Sequence, residues 1–293
     1  MKKQSNFSFL LIAALVVATI LSCKRDPLAK YGEQYKKTLY IVHADQLTHI
    51  KNHFYENTDD TVYISVYCGS SEPITEDVEA TLRFDGQALD SVNRLISLEN
   101  ANDVPKQLLP THLYTFSESV VKIKAGEQFG LLKIPVQLAD IDPDIEYTIP
   151  VSLVSNNAGF DINPRLRSIV YQPNMVNNYS GVYSGSSKEA DETSPQPITP
   201  TLTALSKDRL RLPIHNLDDD MDLLATNYMV LTIAEDRETV SISAFRDASI
   251  VEGTGHYDEG SKTFELTYSY LVNGELKTVD AQITNVQLIE GEE

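Results

Sequence analysis

The sequence contains no tryptophan, only two cysteines, and far fewer basic than acidic residues, with 24 Lys and Arg against 42 Asp and Glu. The resulting net charge of −18 repels phosphate backbones, so the composition argues against a nucleic-acid partner. The hydrophobic fraction of 42% is ordinary for a globular chain, and the length of 293 residues suggests about two domains.

The first residues form an export signal. Lys2 and Lys3 supply a positive start, and the apolar run over 9–20 is too short for a stable membrane-spanning helix. The stretch Ile20-Leu21-Ser22-Cys23 is similar to a bacterial lipobox, in which the signal is removed before a cysteine that then carries the lipids. We therefore expect a signal peptide over 1–22, lipidation of Cys23, and a polar tether over 23–36.

Once Cys23 is assigned to the lipid, no second cysteine is left to form a disulfide with Cys68, so no internal disulfide is expected. Cys68 ends the stretch "TVYISVYCG", in which apolar residues alternate as in a half-buried strand. The sequence therefore predicts a buried thiol and not a nucleophile.

Strand patterns dominate the region over 37–172. Alternating stretches such as "DVEATLRFDG" are separated by turn residues, which is typical of a β-sandwich. Two short strands flank the predicted turn Ala125-Gly126-Glu127. The one helical pattern is "ALDSVNRLISL", where Leu89, Val92, Leu95 and Ile96 share a face.

A second all-β domain is expected over 178–293, after a turn-rich link near "YQPNMVNNYSG" that includes Pro173 and Asn174. Successive short strands are joined by tight turns, among them 258–261 and the Asn273-Gly274 hairpin signal. This order favours an antiparallel meander or a partly closed barrel.

The sequence contains no complete catalytic or metal-binding motif. The sequence has neither an Asp-x-x-Asp-x-Asp-x-Glu run nor a Gly-x-Ser-x-Gly elbow. His49 and His53 could share a helix face as two zinc ligands, but no third ligand is indicated, which favours a polar surface. The acidic runs "ADIDPDIEY" and "LDDDMD" lack a calcium-loop pattern, so solvated loops are favoured while calcium binding stays open. We predict a protein that is not an enzyme and has no cofactor and no metal site.

A sugar-binding surface needs aromatic rings for the apolar faces of sugars and polar groups for their hydroxyls. The chain offers 15 tyrosines, and a group of tyrosine and asparagine residues clusters in sequence near the predicted link. Because domain junctions favour pockets, we predict a glycan site there. Its candidate residues are Asn177, Asn178, Tyr179, Tyr183 and Tyr228.

The first half of the chain contains a set of residues whose pattern resembles that of a known family. These residues are Leu109, Pro110, Tyr114, Val121, Ile123, Ala125, Gly126, Tyr147, Pro150, Val151, Ile169, Val170 and Tyr171. They resemble the N-terminal module of domain-of-unknown-function family 1735, which implies an Ig-like sandwich over 37–172. The second half, with "NYSGVYSG" and "FELTYSY", is similar to the 4361 family of unknown function. The module occurs in lipoproteins of glycan-foraging Gram-negative gut bacteria, and also before family 18 glycoside hydrolase domains.

The resemblance implies a gene cluster for polysaccharide capture that is similar to the starch-utilisation system. We therefore expect a non-catalytic outer-membrane lipoprotein that binds polysaccharide or glycoprotein glycans. An outer-membrane transport complex is a second candidate partner. The alternatives are an adhesion or scaffolding protein that binds a protein partner and, third, an unrecognised hydrolase. Lys24-Arg25-Asp26 follow the lipidated cysteine, where surface-exported relatives often carry several acidic residues, so the membrane face stays open.

Overall fold

The computed structural model describes residues 36–57, 60–218 and 220–286. The predicted signal peptide, Cys23 and all but the end of the tether lie outside these residues. Within the described ranges the chain is built from β-strands, one α-helix and two short 3₁₀ turns, which confirms the all-β prediction. None of the described helices has the length and apolar character needed to cross a membrane.

Two sheets make up the first half. One has the strand order β7-β3-β1-β9 and the other β2-β10-β8-β4-β6, with β5 beside β8. Alternate residues such as Val62, Ile64 and Val66 are buried between the sheets, which confirms the predicted sandwich. The elements are β1 (Thr38–Ile41), β2 (His49–Phe54), β3 (Asp60–Gly69), β4 (Val78–Phe84), α1 (Gly86–Glu99), β5 (Gln107–Leu108), β6 (Glu118–Ile123), β7 (Phe129–Val136), β8 (Tyr147–Asn156), β9 (Asp161–Ile162) and β10 (Ser168–Val176).

The helix α1 lies where the apolar spacing predicted one. Asp85 caps its start by accepting a hydrogen bond from the Gln87 backbone N–H at 3.2 Å. Leu89 and Val92 are buried together with Val170 of β10, so the apolar stripe covers one part of the sandwich.

The second half is an antiparallel barrel of eight strands. Strands β11 and β13 to β19 pair in sequence order, and β11 then pairs with β19 from Tyr183↔Asn285 to Glu189↔Val279. The predicted meander is confirmed, and the ring is closed. At this seam a Cβ on Gly185 would overlap the Gln282 carbonyl oxygen, so glycine permits the close approach. The strands are β11 (Gly181–Glu189), β12 (Gln196–Ile198), β13 (Thr201–Ser206), β14 (Arg209–Pro213), β15 (Tyr228–Ile233), β16 (Thr239–Ala244), β17 (Ile250–Asp258), β18 (Thr263–Val272) and β19 (Glu275–Asn285).

The link between the two halves is shorter than the sequence suggested. Strand β10 continues through Pro173 and Asn174 to Val176, because β2 pairs with it in parallel and places Lys51 opposite Pro173. Only residues 177–180 separate β10 from β11. These four residues include three of the predicted site residues.

Candidate functional site

Asn177 organises the junction and is buried there. Its side-chain nitrogen donates to the carbonyl oxygens of Ser206 at 2.7 Å and Arg209 at 3.2 Å. Its side-chain oxygen accepts from the backbone N–H groups of Tyr179 at 3.0 Å and Ser180 at 2.9 Å. The amide therefore fixes the turn and ties it to the start of β14, and these bonds occupy the groups that a sugar hydroxyl would need.

Tyr183 does not present its ring to solvent, contrary to the predicted site. It is fully buried inside the barrel, where its ring centroid lies 5.7 Å from that of Phe264. Its hydroxyl donates to the Tyr179 carbonyl oxygen at 2.7 Å. Burial raises the pKa of Tyr183 well above its usual range. Closure of the barrel therefore makes this tyrosine a core residue.

Tyr228 is also buried, for a different reason. The guanidinium carbon of Arg211 lies 5.4 Å from the Tyr228 ring centroid and 5.2 Å from that of Phe245. Arg211, itself 5% exposed, pairs with the carboxylate of Asp144 from the first domain. The ring of Tyr228 is thus buried beside the ion pair that joins the domains, which leaves little of it for a sugar to contact in this arrangement.

The position of Asp144 differs from the sequence prediction for its acidic run. The run "ADIDPDIEY" was expected to be a solvated loop, but the Asp144 carboxylate is largely buried between Arg211 and Arg246, the latter at 2.8 Å. Nearby, burial raises the pKa of Tyr55 to about 12, and the negative charges of Asp142 and Asp144 add to this effect. One carboxylate held by two arginines of the barrel gives the junction a fixed geometry.

Three of the predicted residues, Asn177, Asn178 and Tyr179, border open clefts, although the Asn177 side chain is itself buried. The Asn178 side-chain nitrogen donates to Glu56 at 3.3 Å, across the two domains. Tyr179 is half-buried, with its ring edge-on to Tyr257 at a centroid distance of 5.1 Å. Asn178 lines two neighbouring clefts, and Lys262 also borders both.

The larger cleft, here called the amide cleft, has a volume of about 670 Å³. Both domains contribute to it, and asparagine side chains recur along its walls. Asn174 donates to Asn52 at 2.8 Å, which orients this amide pair. Phe54 is 42% exposed and supplies an aromatic ring. The polar and aromatic members of the lining that matter here are Asn52, Phe54, Asn174, Asn178, Lys262 and Asn285.

The second cleft has a volume of about 460 Å³ and contains Tyr179. Its charges are mixed, since Glu56, Asp208, Glu235 and Glu259 face Lys207, Arg237 and Lys262. Burial is the main cause that raises the pKa of Tyr257, which borders this cleft, to about 12. Its phenol is therefore neutral at physiological pH.

The sequence did not identify Asn52, Phe54 or Lys262 as site residues. Asn52 and Asn174 are 122 positions apart and meet only because β2 pairs with β10. The one usable signal was the local excess of asparagine near the link, which pointed to the junction that borders both clefts. Pairing between distant strands leaves no short-range pattern.

The zinc alternative required His49 and His53 to lie on a helix, but both lie in strand β2. His53 is buried, with Nδ1 2.5 Å from Asp60 and Nε2 2.7 Å from the Tyr171 hydroxyl. His49 is also buried, and its Nδ1 lies 2.9 Å from Gln46. Both therefore belong to the interior of the sandwich and not to the polar surface that was favoured. Cys68 is buried in β3, as predicted.

Comparisons with known proteins match both halves of the chain. One family model, described as an N-terminal domain, matches residues 35–159, and another, described as C-terminal, matches residues 167–284. No curated protein matches the chain.

Solved structures with the same fold come from Bacteroides. A Bacteroides ovatus protein of unknown function aligns with a TM-score of 0.62 at 14% identity, over 87% of this chain and 98% of the other. A multidomain B. ovatus protein including DUF1735 gives 0.59 at 16%, over 86% and 93%. An auxiliary nutrient binding protein from Bacteroides thetaiotaomicron gives 0.54 at 14%, over 84% and 94%. The likeness at these identities is one of fold.

Proposed function

We propose that this chain is a non-catalytic accessory protein for nutrient utilisation that binds glycans, and that it belongs with the multidomain protein including DUF1735 whose fold it shares. One protein of this fold is described as an auxiliary nutrient binding protein, which supports the accessory role. We further propose that the signal over 1–22 is removed and that lipids on Cys23 hold the protein at the outer membrane.

The amide cleft is the observation that carries the glycan proposal. An amide group both donates and accepts hydrogen bonds, which suits neighbouring hydroxyls on a sugar ring. The exposed ring of Phe54 offers an apolar surface to the C–H face of a sugar. The volume of about 670 Å³ lies within the range that small ligands occupy, and the cleft sits at a domain junction.

The fixed geometry of the junction supports binding in this cleft. Asn52 and Phe54 come from the sandwich, and Lys262 and Asn285 from the barrel, so the cleft exists only while the two domains keep their positions. The Asp144 carboxylate between two arginines and the Asn177 amide bonds both hold that arrangement. Preorganised polar groups lower the cost of ordering on binding.

The test is a titration of the mature chain, carrying Cys23→Ser, with plant, mucin and N-glycan panels followed by calorimetry of every hit. We expect Phe54→Ala to weaken the hit about tenfold, since it removes roughly 1.4 kcal/mol of ring contact. Asn178→Ala should weaken it by a smaller factor. Leu98→Ala, on the exposed side of α1, is the matched control and should bind as wild type.

Two outcomes would overturn the proposal. Absence of binding across all three panels would remove the glycan role. Release of shorter sugars during incubation would instead replace the accessory role by the hydrolase alternative.

A protein partner is the second candidate function. Helix α1 leaves Leu95 and Leu98 49% and 75% exposed, three residues apart on one side of the helix, where an apolar partner surface could contact both. If the glycan panels fail, Leu98→Ala becomes the first variant to compare with wild type for binding to a protein partner.

A further inference from the structure

A row of aromatic rings crosses the outer face of the first sheet. Tyr67 of β3 lies directly opposite Phe129 of β7 on one side and Tyr40 of β1 on the other. The ring centroids of Tyr40 and Tyr67 are 5.3 Å apart. We call these three residues and Tyr63, which lies four positions before Tyr67 on the same face of β3, the aromatic row.

Strand alternation explains why these rings face outward. Val62, Ile64, Val66 and Cys68 point into the sandwich and are buried, so the intervening residues of β3 lie on the opposite face. Tyr63 is 53% exposed and Phe129 is 52% exposed. Among the described elements, neither the barrel strands nor α1 makes extensive contact with β1, β3 or β7.

The row places aromatic rings on three neighbouring strands. Adjacent strands lie about 4.8 Å apart, so a ligand that runs across β7, β3 and β1 meets one ring from each strand. The Tyr67 hydroxyl donates to the Gln128 side chain at 2.8 Å, which restrains its ring. Flat rings beside polar tips suit the apolar face and the hydroxyls of a sugar chain.

The charge on this face is opposite to that of the whole protein. Among the outward positions of β1, β3 and β7, Lys133 is the only charged residue, although the chain carries a net charge of −18. Lys133 lies opposite Tyr63, with its ammonium nitrogen 5.9 Å from the ring centroid. On the neighbouring strand β9, Asp161 already pairs with Lys36 at 3.5 Å. A lone cation beside exposed rings favours a ligand that supplies the negative charge.

We propose that the aromatic row and Lys133 form a second binding surface, specific for glycans that contain uronic acids. The rings cover the apolar faces of the sugars, and the Lys133 ammonium binds a sugar carboxylate. This surface is separate from the amide cleft and extends the proposed function from one glycan site to two, with the acidic ligand assigned to the row.

The experiment compares uronate oligosaccharides with their methyl esters, which remove the charge and keep the sugar ring. Probes are fragments of polygalacturonate, alginate and hyaluronan, titrated into the mature chain carrying Cys23→Ser. For the best probe, we expect the acid to bind about tenfold more tightly than its ester, with added salt reducing the difference. Lys133→Gln should abolish the difference between acid and ester and leave ester binding unchanged.

Ring variants locate the site. Phe129→Ala and Tyr63→Ala should each weaken acid and ester alike by about tenfold, whereas Phe54→Ala in the amide cleft should leave uronate binding unchanged. Equal binding of acid and ester, or failure of all three probes, would overturn the inference. Uronate binding that is lost in Phe54→Ala and kept in Phe129→Ala would also overturn it, while supporting the glycan site at the junction.

Discussion

Tyrosines on the inner face of the barrel and on the outer face of the first sheet meet opposite surroundings. In the barrel, Tyr183 and Tyr268 are buried and their hydroxyls bond to the backbone, at Tyr179 and His215 respectively. In the first sheet of the sandwich, Tyr63 is half-exposed. The strand alternation is the same in both places. The difference arises because Tyr183 and Tyr268 occupy inward positions of the closed barrel, whereas Tyr63 occupies an outward position of its sheet.

The comparison shows that tyrosine content alone does not locate a binding surface. A ring that is fully buried has its stacking faces covered by neighbours, so it contributes to stability and not to a ligand. The exposed rings of the sandwich contribute little to folding and remain available. The two classes of tyrosine should therefore respond to mutation in opposite ways, which makes the difference measurable.

The largest effect should come from Tyr183→Ala. Removing a fully buried aromatic side chain from the barrel leaves a cavity and should lower the free energy of unfolding by about 3–5 kcal/mol. Tyr63→Ala, on the exposed face, is the matched control and should change it by less than about 0.5 kcal/mol. Urea unfolding of both variants checks this. Equal losses would show that burial does not separate the two tyrosines.

Asp144→Ala should show whether the two domains behave as one unit. Without this carboxylate, Arg211 keeps a buried charge, and the expected loss is about 3 kcal/mol. The sandwich and the barrel should then unfold in two separate steps, which calorimetry would detect as two transitions. Asp191→Ala, which breaks an exposed pair with Lys277, is the control and should leave the transition unchanged. A single unaltered transition in Asp144→Ala would contradict a coupling role for the ion pair.

Local features of the fold could be predicted from the sequence. Asn273 and Gly274 both adopt positive φ, at 52° and 86°, as a tight hairpin requires, and Gly126 does so at 83°. The helix α1 also lies where its apolar spacing placed it. In each case the physical cause acts within about ten residues, so a short stretch contains the information.

The candidate site could be predicted only in part. The asparagine-rich link led to the junction, where Asn178 lines the amide cleft as expected. The burial of Tyr183 depends on β11 pairing with β19, about 100 residues later. Tyr228 is covered by Arg211, whose position depends on Asp144 in the other domain. A period of two identifies two faces of a strand but does not show which face another layer will cover.

Alkaline pH should lower the free energy of unfolding, because the buried tyrosines titrate at a higher pH in the folded chain than in the unfolded one. Burial raises the pKa of Tyr257 to about 12, whereas an unfolded tyrosine titrates near 10. Between these values the unfolded chain binds fewer protons than the native one, so the stability from Tyr257 is complete below pH 10 and is lost as the pH rises toward 12. The slope is at most about 1.4 kcal/mol per pH unit for each such tyrosine.

Urea unfolding at pH 9 and pH 11 measures this loss. Tyr257→Phe removes one of the groups and should reduce the pH dependence relative to wild type. An unfolding free energy that is the same at both pH values would contradict the assignment of buried, neutral phenols to the barrel.

The smallest effect isolates a single hydroxyl. Tyr183→Phe keeps the ring in the barrel and removes the hydrogen bond to the Tyr179 carbonyl oxygen, so the expected loss in urea unfolding is about 0.5–1.5 kcal/mol. Tyr67→Phe removes the hydroxyl that donates to Gln128 at the surface, where water replaces it, and the loss should be smaller still. A larger loss for Tyr67→Phe would contradict the comparison, because it would place the costly hydroxyl on the open sheet. A larger loss for Tyr183→Phe than for Tyr67→Phe would show that enclosure in the barrel causes the difference in stability, since both residues are tyrosines on β-strands.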